Sequence, residues 1–110
     1  MGYIAVLERK ELQKKILQKK ANEEAKKLSK LLHGTFEYDA LYLIGSLIKE
    51  KGFHHHSDID LVIKGLRKDY YFKALALLIK NSSFPIDLKP WEELDADRKA
   101  KVEAEGVIIC

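Results

Sequence analysis

The chain has little sulfur and no long apolar run: one cysteine, Cys110, and one methionine among 110 residues. A lone thiol excludes an internal disulfide and fits a reducing compartment, so a cytoplasmic location is expected. The longest apolar runs, such as Ala74 to Ile79, fall far short of the roughly 20 residues a membrane-spanning helix needs. The opening "MGYIAVLERK" lacks the basic start, long apolar middle and small-residue cleavage site of a secretory leader. Val6 also stands where N-myristoylation expects Ser or Thr. Repeats, low-complexity tracts and linkers are missing too, so residues 1–110 read as one domain.

What is present is an ordinary globular composition with an uneven charge. The net charge is +3, but residues 1–35 hold nine Lys or Arg against four Glu. Such a basic stretch can attract nucleic acid or an acidic partner, although a solvated lysine-rich helix is the simpler account.

Residues 8–32 predict one long helix. Leu17, Ala21, Ala25, Leu28 and Leu32 recur at helical spacing, Leu12 and Ile16 extend the stripe, and Gly34 is a stop signal. Tyr3 to Leu7 fit either this helix or a short extended arm. "ALYLIG" predicts a buried strand ending at Gly45, "SLIKEK" a short helix from Ser46, and "GFHHHS" a loop. "DIDLVIKG" predicts a second strand, "KDYYFKALALLIKN" an amphipathic helix, and "FPIDLK" a third strand that Pro85 places at an edge or opens. Residues 91–105 predict a helix capped by Asp95 or Asp97, and "GVIIC" a short strand or packed tail. The fold class expected is α/β (α+β): a small mixed sheet flanked by helices, with a long N-terminal helix over 1–35 and a core over 37–110.

Within this pattern Asp58 and Asp60 are the anomaly. Strand alternation points both to one face, where like charges repel. A hard cation such as Mg²⁺ removes that repulsion and prefers oxygen ligands, and a pair of ions forms a phosphoryl-transfer clamp. A lone D-x-D is weak, since many such pairs are strand-edge or cap residues. Here a Gly-Ser, Gly45 and Ser46, lies twelve residues before Asp58 at a strand–helix junction, and Asp87 occupies the next strand. Glycine lets the backbone approach a ligand, and a serine opening a helix offers its hydroxyl and N–H groups to phosphate. Read alone, the Gly-Ser is a loop glycine and an N-cap; together the three features point to a phosphate-and-metal site.

"IGSLIKEKGFHHHSDIDLVI" with "PIDLK" resembles the signature of the polymerase β-like nucleotidyltransferase superfamily, and specifically its minimal prokaryotic members. "RKAKVEAEGVII" resembles the helix and short strand that close many of these domains, so the likeness runs from about Leu41 to the C-terminus. The resemblance implies that Gly45 and Ser46 contact the β- and γ-phosphates of a nucleoside triphosphate, ATP being expected. It implies that Asp58 and Asp60 hold divalent metal, normally two Mg²⁺, and that Asp87 completes the metal site and helps activate the attacking hydroxyl. The family commonly has a small residue, an arginine and a glycine soon after Gly-Ser; here Leu47, Ile48, Lys49 and Glu50 follow, and Lys49 takes the arginine's place. The implied reaction is nucleotidyl transfer. The implied partner is a helical HEPN protein, modified on a tyrosine by AMP in a toxin–antitoxin pair.

Other readings stand beside this one. The altered segment after Ser46 suits a non-catalytic module of the same fold that acts by binding its partner. The basic N-terminal helix could serve a homo-oligomer, or less readily nucleic acid. His54, His55 and His56 lack structural-zinc spacing and read first as an exposed tract. Tyr70, Tyr71 and Phe72 could stack on a base, yet helical spacing makes core packing the default for at least one ring, and Trp91 fits either a base platform or a cover for the sheet.

Overall fold

The computed structural model describes residues 2–45 and 58–109; in the first helix, side chains are described at residues 12 and 13 and from 15 onward. Helix α1 (Gly2–Thr35) leads to strands β1 (Ala40–Ile44) and β2 (Ile59–Lys64). A 3₁₀ turn (Lys68–Tyr70) enters α2 (Tyr71–Asn81), followed by β3 (Ile86–Pro90), a second 3₁₀ turn (Trp91–Glu93), α3 (Ala96–Glu105) and β4 (Val107–Ile108). The four strands form one mixed sheet in the order β3-β2-β1-β4, with β2 parallel to β3 and β1 antiparallel to both β2 and β4.

Period-two alternation splits β2 between the two faces. Ile59, Leu61 and Ile63 join Leu41, Leu43 and Leu88 in a core closed by Ala21, Ala25, Leu28 and Leu32 of α1 and by Ala74 and Leu78 of α2. The small residues Ala21, Ala25 and Ala74 bring the helices close to the sheet. On the opposite face Val62 packs with Tyr42, Trp91 and Val102, a second and smaller cluster under α3. The parallel β2–β3 pair requires a crossover, and α2 supplies it.

Several boundaries differ from the sequence reading for identifiable reasons. Helix α1 is longer at both ends: Tyr3 to Leu7 belong to it, and Gly34 lies in its last turn rather than ending it. The side of Gly34 is open and Phe36 N–H still donates to the Leu32 carbonyl at 2.9 Å, so the chain winds on past the glycine. Leu12 and Ile16 continue the apolar stripe but are 58% and 46% exposed, because among the described side chains contact with the core begins at Leu17. Within residues 91–105 the helix starts at an expected cap, Asp95, after a separate turn. Trp91 to Glu93 make a 3₁₀ turn, and Asp95 then caps α3 by accepting from the Arg98 N–H at 2.8 Å. β3 is an edge strand beginning directly after Pro85, where the missing N–H is harmless. The expected short helix from Ser46 and the loop to Ser57 lie outside the described residues. No helix among the described residues is long and apolar enough to cross a membrane.

Leu28→Ala empties a fully buried position and should lower stability by about 2–5 kcal/mol. Leu12→Ala, on the exposed run of α1, should stay within about 0.5 kcal/mol. Urea unfolding of both variants followed by circular dichroism checks the contrast.

Candidate functional site

Asp60 and Asp87 are brought directly opposite each other. They are register partners across the parallel β2–β3 pair, so their side chains leave the same face of strands about 4.8 Å apart. Ile44 is the partner of Asp60 on its other side, and Gly45 follows it with φ of +80°, a conformation L side chains rarely adopt. A Cβ at Gly45 would collide with the Asp60 Oδ2 atom. The glycine is therefore required twice, for the turn that ends β1 and for the space the carboxylate occupies.

Asp58 stands immediately before β2, exposed, on the side of the strand that carries Asp60. Burial pushes the Asp60 carboxyl above its ordinary range, and the charge of Asp87 pushes it further. Lys89 offsets part of this, and Asp58 adds to it. The Lys89 Nζ atom lies 3.0 Å from Asp87 Oδ2, so one of the two facing carboxylates has a cationic neighbour inside the chain. Among the described residues, no three His, Cys, Asp or Glu side chains are gathered as a ready metal cage. Ser46, Lys49 and His54 to His56 lie outside the described residues.

Beside Gly45 the same face opens into a cleft of about 270 Å³. Ile44, Val62, Leu94 and Val102 give it apolar walls, and Lys89, Arg98 and Lys101 bring three cations to it, with Glu105 at the margin. Arg98, Lys101, Val102 and Glu105 are spaced to share one side of α3, which turns its single buried residue, Val102, toward the sheet. The sequence reading missed these cations. Their signal was available, because Arg98 and Lys101 stand four positions and one position before Val102 and so border whatever α3 covers. What it lacked was the placement of α3 over the carboxylate face.

The aromatic residues divide clearly. Trp91 is buried and stacks on Tyr42, with ring centroids 5.9 Å apart, and Lys64 Nζ lies 4.9 Å from its centroid. It covers the sheet and is not an open base platform. Tyr71 packs against the main core and donates its hydroxyl to the Leu88 carbonyl at 2.5 Å. Burial and the charges of Asp87 and Glu93 hold that phenol above its ordinary range. It therefore anchors α2 to β3 as a donor. Phe72 is 78% exposed.

No protein-family model matches the sequence, and no curated protein does either. The fold does match solved structures. A chain of a toxin–antitoxin structure with AMP-PNP superposes with a TM-score of 0.66, covering 79% of this chain and 72% of that one at 22% identity. A mutant of the toxin–antitoxin MntA–HpeT, with two aspartates changed to glutamate, gives 0.63 over 76% and 70% at 19% identity. A proposed nucleotidyltransferase from Sulfolobus solfataricus gives 0.55 over 84% and 81% at 21% identity. At these identities the likeness is one of fold: the chain shares with these structures a mixed four-stranded sheet flanked by helices.

Asp60→Asn removes a charge that the fold holds at a disadvantage. With the folded-state carboxyl raised, wild-type stability falls as pH rises through that value, and the asparagine variant avoids the loss. The variant should therefore unfold a few degrees higher than wild type at neutral pH, without added metal. The difference should close as pH drops below the ordinary carboxylate value of 3.8. Thermal melts across pH 3 to 8 measure it (~5 pH points suffice).

Proposed function

We propose that the chain is a metal-dependent nucleotidyltransferase that moves a nucleoside monophosphate, AMP from ATP, onto a hydroxyl acceptor. The observation that carries this reading is the Asp60–Asp87 pair, opposed on parallel strands against the bare Cα of Gly45. An arrangement that costs stability on its own suits a site whose ligand is a cation. The donor set is all oxygen, which fits Mg²⁺, and Asp58, Asp60 and Asp87 would hold it. When bound, the metal neutralises phosphate charge and stabilises the displacement at the α-phosphorus.

The rest is the work of the chain's own residues. Gly45 lets backbone approach the β- and γ-phosphates, with Ser46 and Lys49 beside it by family likeness. Lys89, Arg98 and Lys101, around the adjoining cleft, add positive charge for the departing pyrophosphate. The acceptor oxygen bonds to the α-phosphorus, the bond to the bridging oxygen breaks, and pyrophosphate leaves with the electron pair. The hydroxyl proton passes to Asp87, which has Lys89 beside it at 3.0 Å. Such transfer needs positioning and charge neutralisation more than a covalent nucleophile.

Two of the structures that share the fold are toxin–antitoxin assemblies, one of them with AMP-PNP. They support reading this chain as the antitoxin of such a pair, with a helical HEPN-type toxin as partner and one of its tyrosines as acceptor.

Incubation of the purified pair with Mg²⁺ and α-labelled ATP should label the partner. Asp58→Ala with Asp60→Ala should reduce labelling by roughly 10²–10³-fold or more. Mg²⁺ should also raise the melting temperature of the wild type and leave the double variant unmoved. Labelling that survives the double substitution unchanged sinks the assignment.

A further inference from the structure

Helix α2 is apolar on two sides, and the sheet uses only one of them. Ala74 and Leu78 are buried against β2 and α1, while Phe72, Ala76 and Ile79 turn outward with half-buried Leu75 between them. These four stand at i, i+3, i+4 and i+7, the spacing with which one helix presents a continuous stripe to another. Phe72 is 78% exposed and Ile79 56%, both large side chains left in water. A scattered apolar residue on a surface is ordinary; a whole turn-by-turn stripe is an interaction surface without its partner.

The charge around the stripe selects the partner. Helix α2 carries Lys73 and Lys80 and no carboxylate, and α1, packed beside it, holds nine Lys or Arg against four Glu. The remainder of the chain, residues 36–110, is net acidic, so the excess positive charge of the sequence belongs to α1. At the Phe72 end, a cleft of about 370 Å³ bordered by Leu66 and Pro90 is rimmed by Lys68, Glu92 and Glu93. That rim is mixed in sign, which leaves the selection to Lys73, Lys80 and α1. Two copies joined through this stripe would set lysines against lysines, whereas a negatively charged helix meets complementary charge along its length.

We propose that the outer face of α2 is a docking surface for an acidic amphipathic helix of a second protein. Phe72 and Ile79 anchor its apolar stripe, and Lys73 and Lys80 pair with flanking carboxylates. Because α2 packs on the face of β2 opposite to Asp60, the docked helix leaves the carboxylate cleft open. The surface does not depend on whether that cleft is active.

The test uses the intact chain and two synthetic helical peptides with leucines at i, i+3, i+4 and i+7, one flanked by glutamates and the other by lysines. The acidic peptide should bind, shifting the amide resonances of α2, and the basic one should not. Phe72→Ala with Ile79→Ala, both at exposed positions, should weaken the acidic peptide by about tenfold or more while leaving the circular dichroism spectrum unchanged. Equal binding of both peptides, binding that the double variant retains, or shifts confined to α1 overturn the proposal. So does sedimentation of the unliganded protein as a dimer that the double variant dissociates, because the occupant is then a second copy.

Discussion

Two carboxylates facing each other across neighbouring strands repel, and the fold holds them there nonetheless. Asp60 and Asp87 cannot relax apart, because the residues that alternate with them are locked into the main core. Ile59 and Leu61 flank Asp60, and Ile86 and Leu88 flank Asp87, each with its side chain on the far face. Separating the charges would pull those side chains out of the packing beneath α1 and α2. Burial of about 25 cal/mol per Å² of apolar surface on one face thus balances electrostatic strain on the other.

The parallel pairing of β2 and β3 makes this possible. In an antiparallel hairpin a short turn would join the strands and leave no helix between them. Here α2 crosses over, bringing its own buried stripe to the back of the two strands it connects. Gly45 completes the arrangement from the other side: β1 can end beside Asp60 only because no side chain grows there. Lys89, two positions along from Asp87, supplies the partial compensation that the chain itself contains.

Much of this was legible beforehand, and unevenly so. Periodicity located α1, α2 and the strands, since apolar spacing is a local property. The anomaly at Asp58 and Asp60 was visible because carboxylates interrupt an aliphatic strand, and Asp87 because it repeats the interruption. Strand order was not legible: nothing local makes Asp60 the register partner of Asp87, or sets β1 between β2 and β4. Arg98 and Lys101 escaped for the same reason, being on the carboxylate face only through the packing of Val102 on Val62 and Tyr42. Trp91 was ambiguous because its role depends on Tyr42, far away in sequence. The outer stripe of α2 was hidden for a different reason. An apolar-rich helix shows its hydrophobicity in the sequence, but only the packed structure tells which of its sides is spent.

The division of charge described above also gives the molecule an electric polarity. Lys and Arg outnumber Glu nine to four in residues 1–35, while the remainder of the sequence is slightly acidic. An anion approaching the molecule meets two separate groups of cations, those of α1 and those that border the cleft. Lys89, Arg98 and Lys101 belong to the second group, beside Gly45 on the face that carries the carboxylates. The attraction of either group for an anion weakens as ionic strength rises, because salt screens charges more than about 8–10 Å apart.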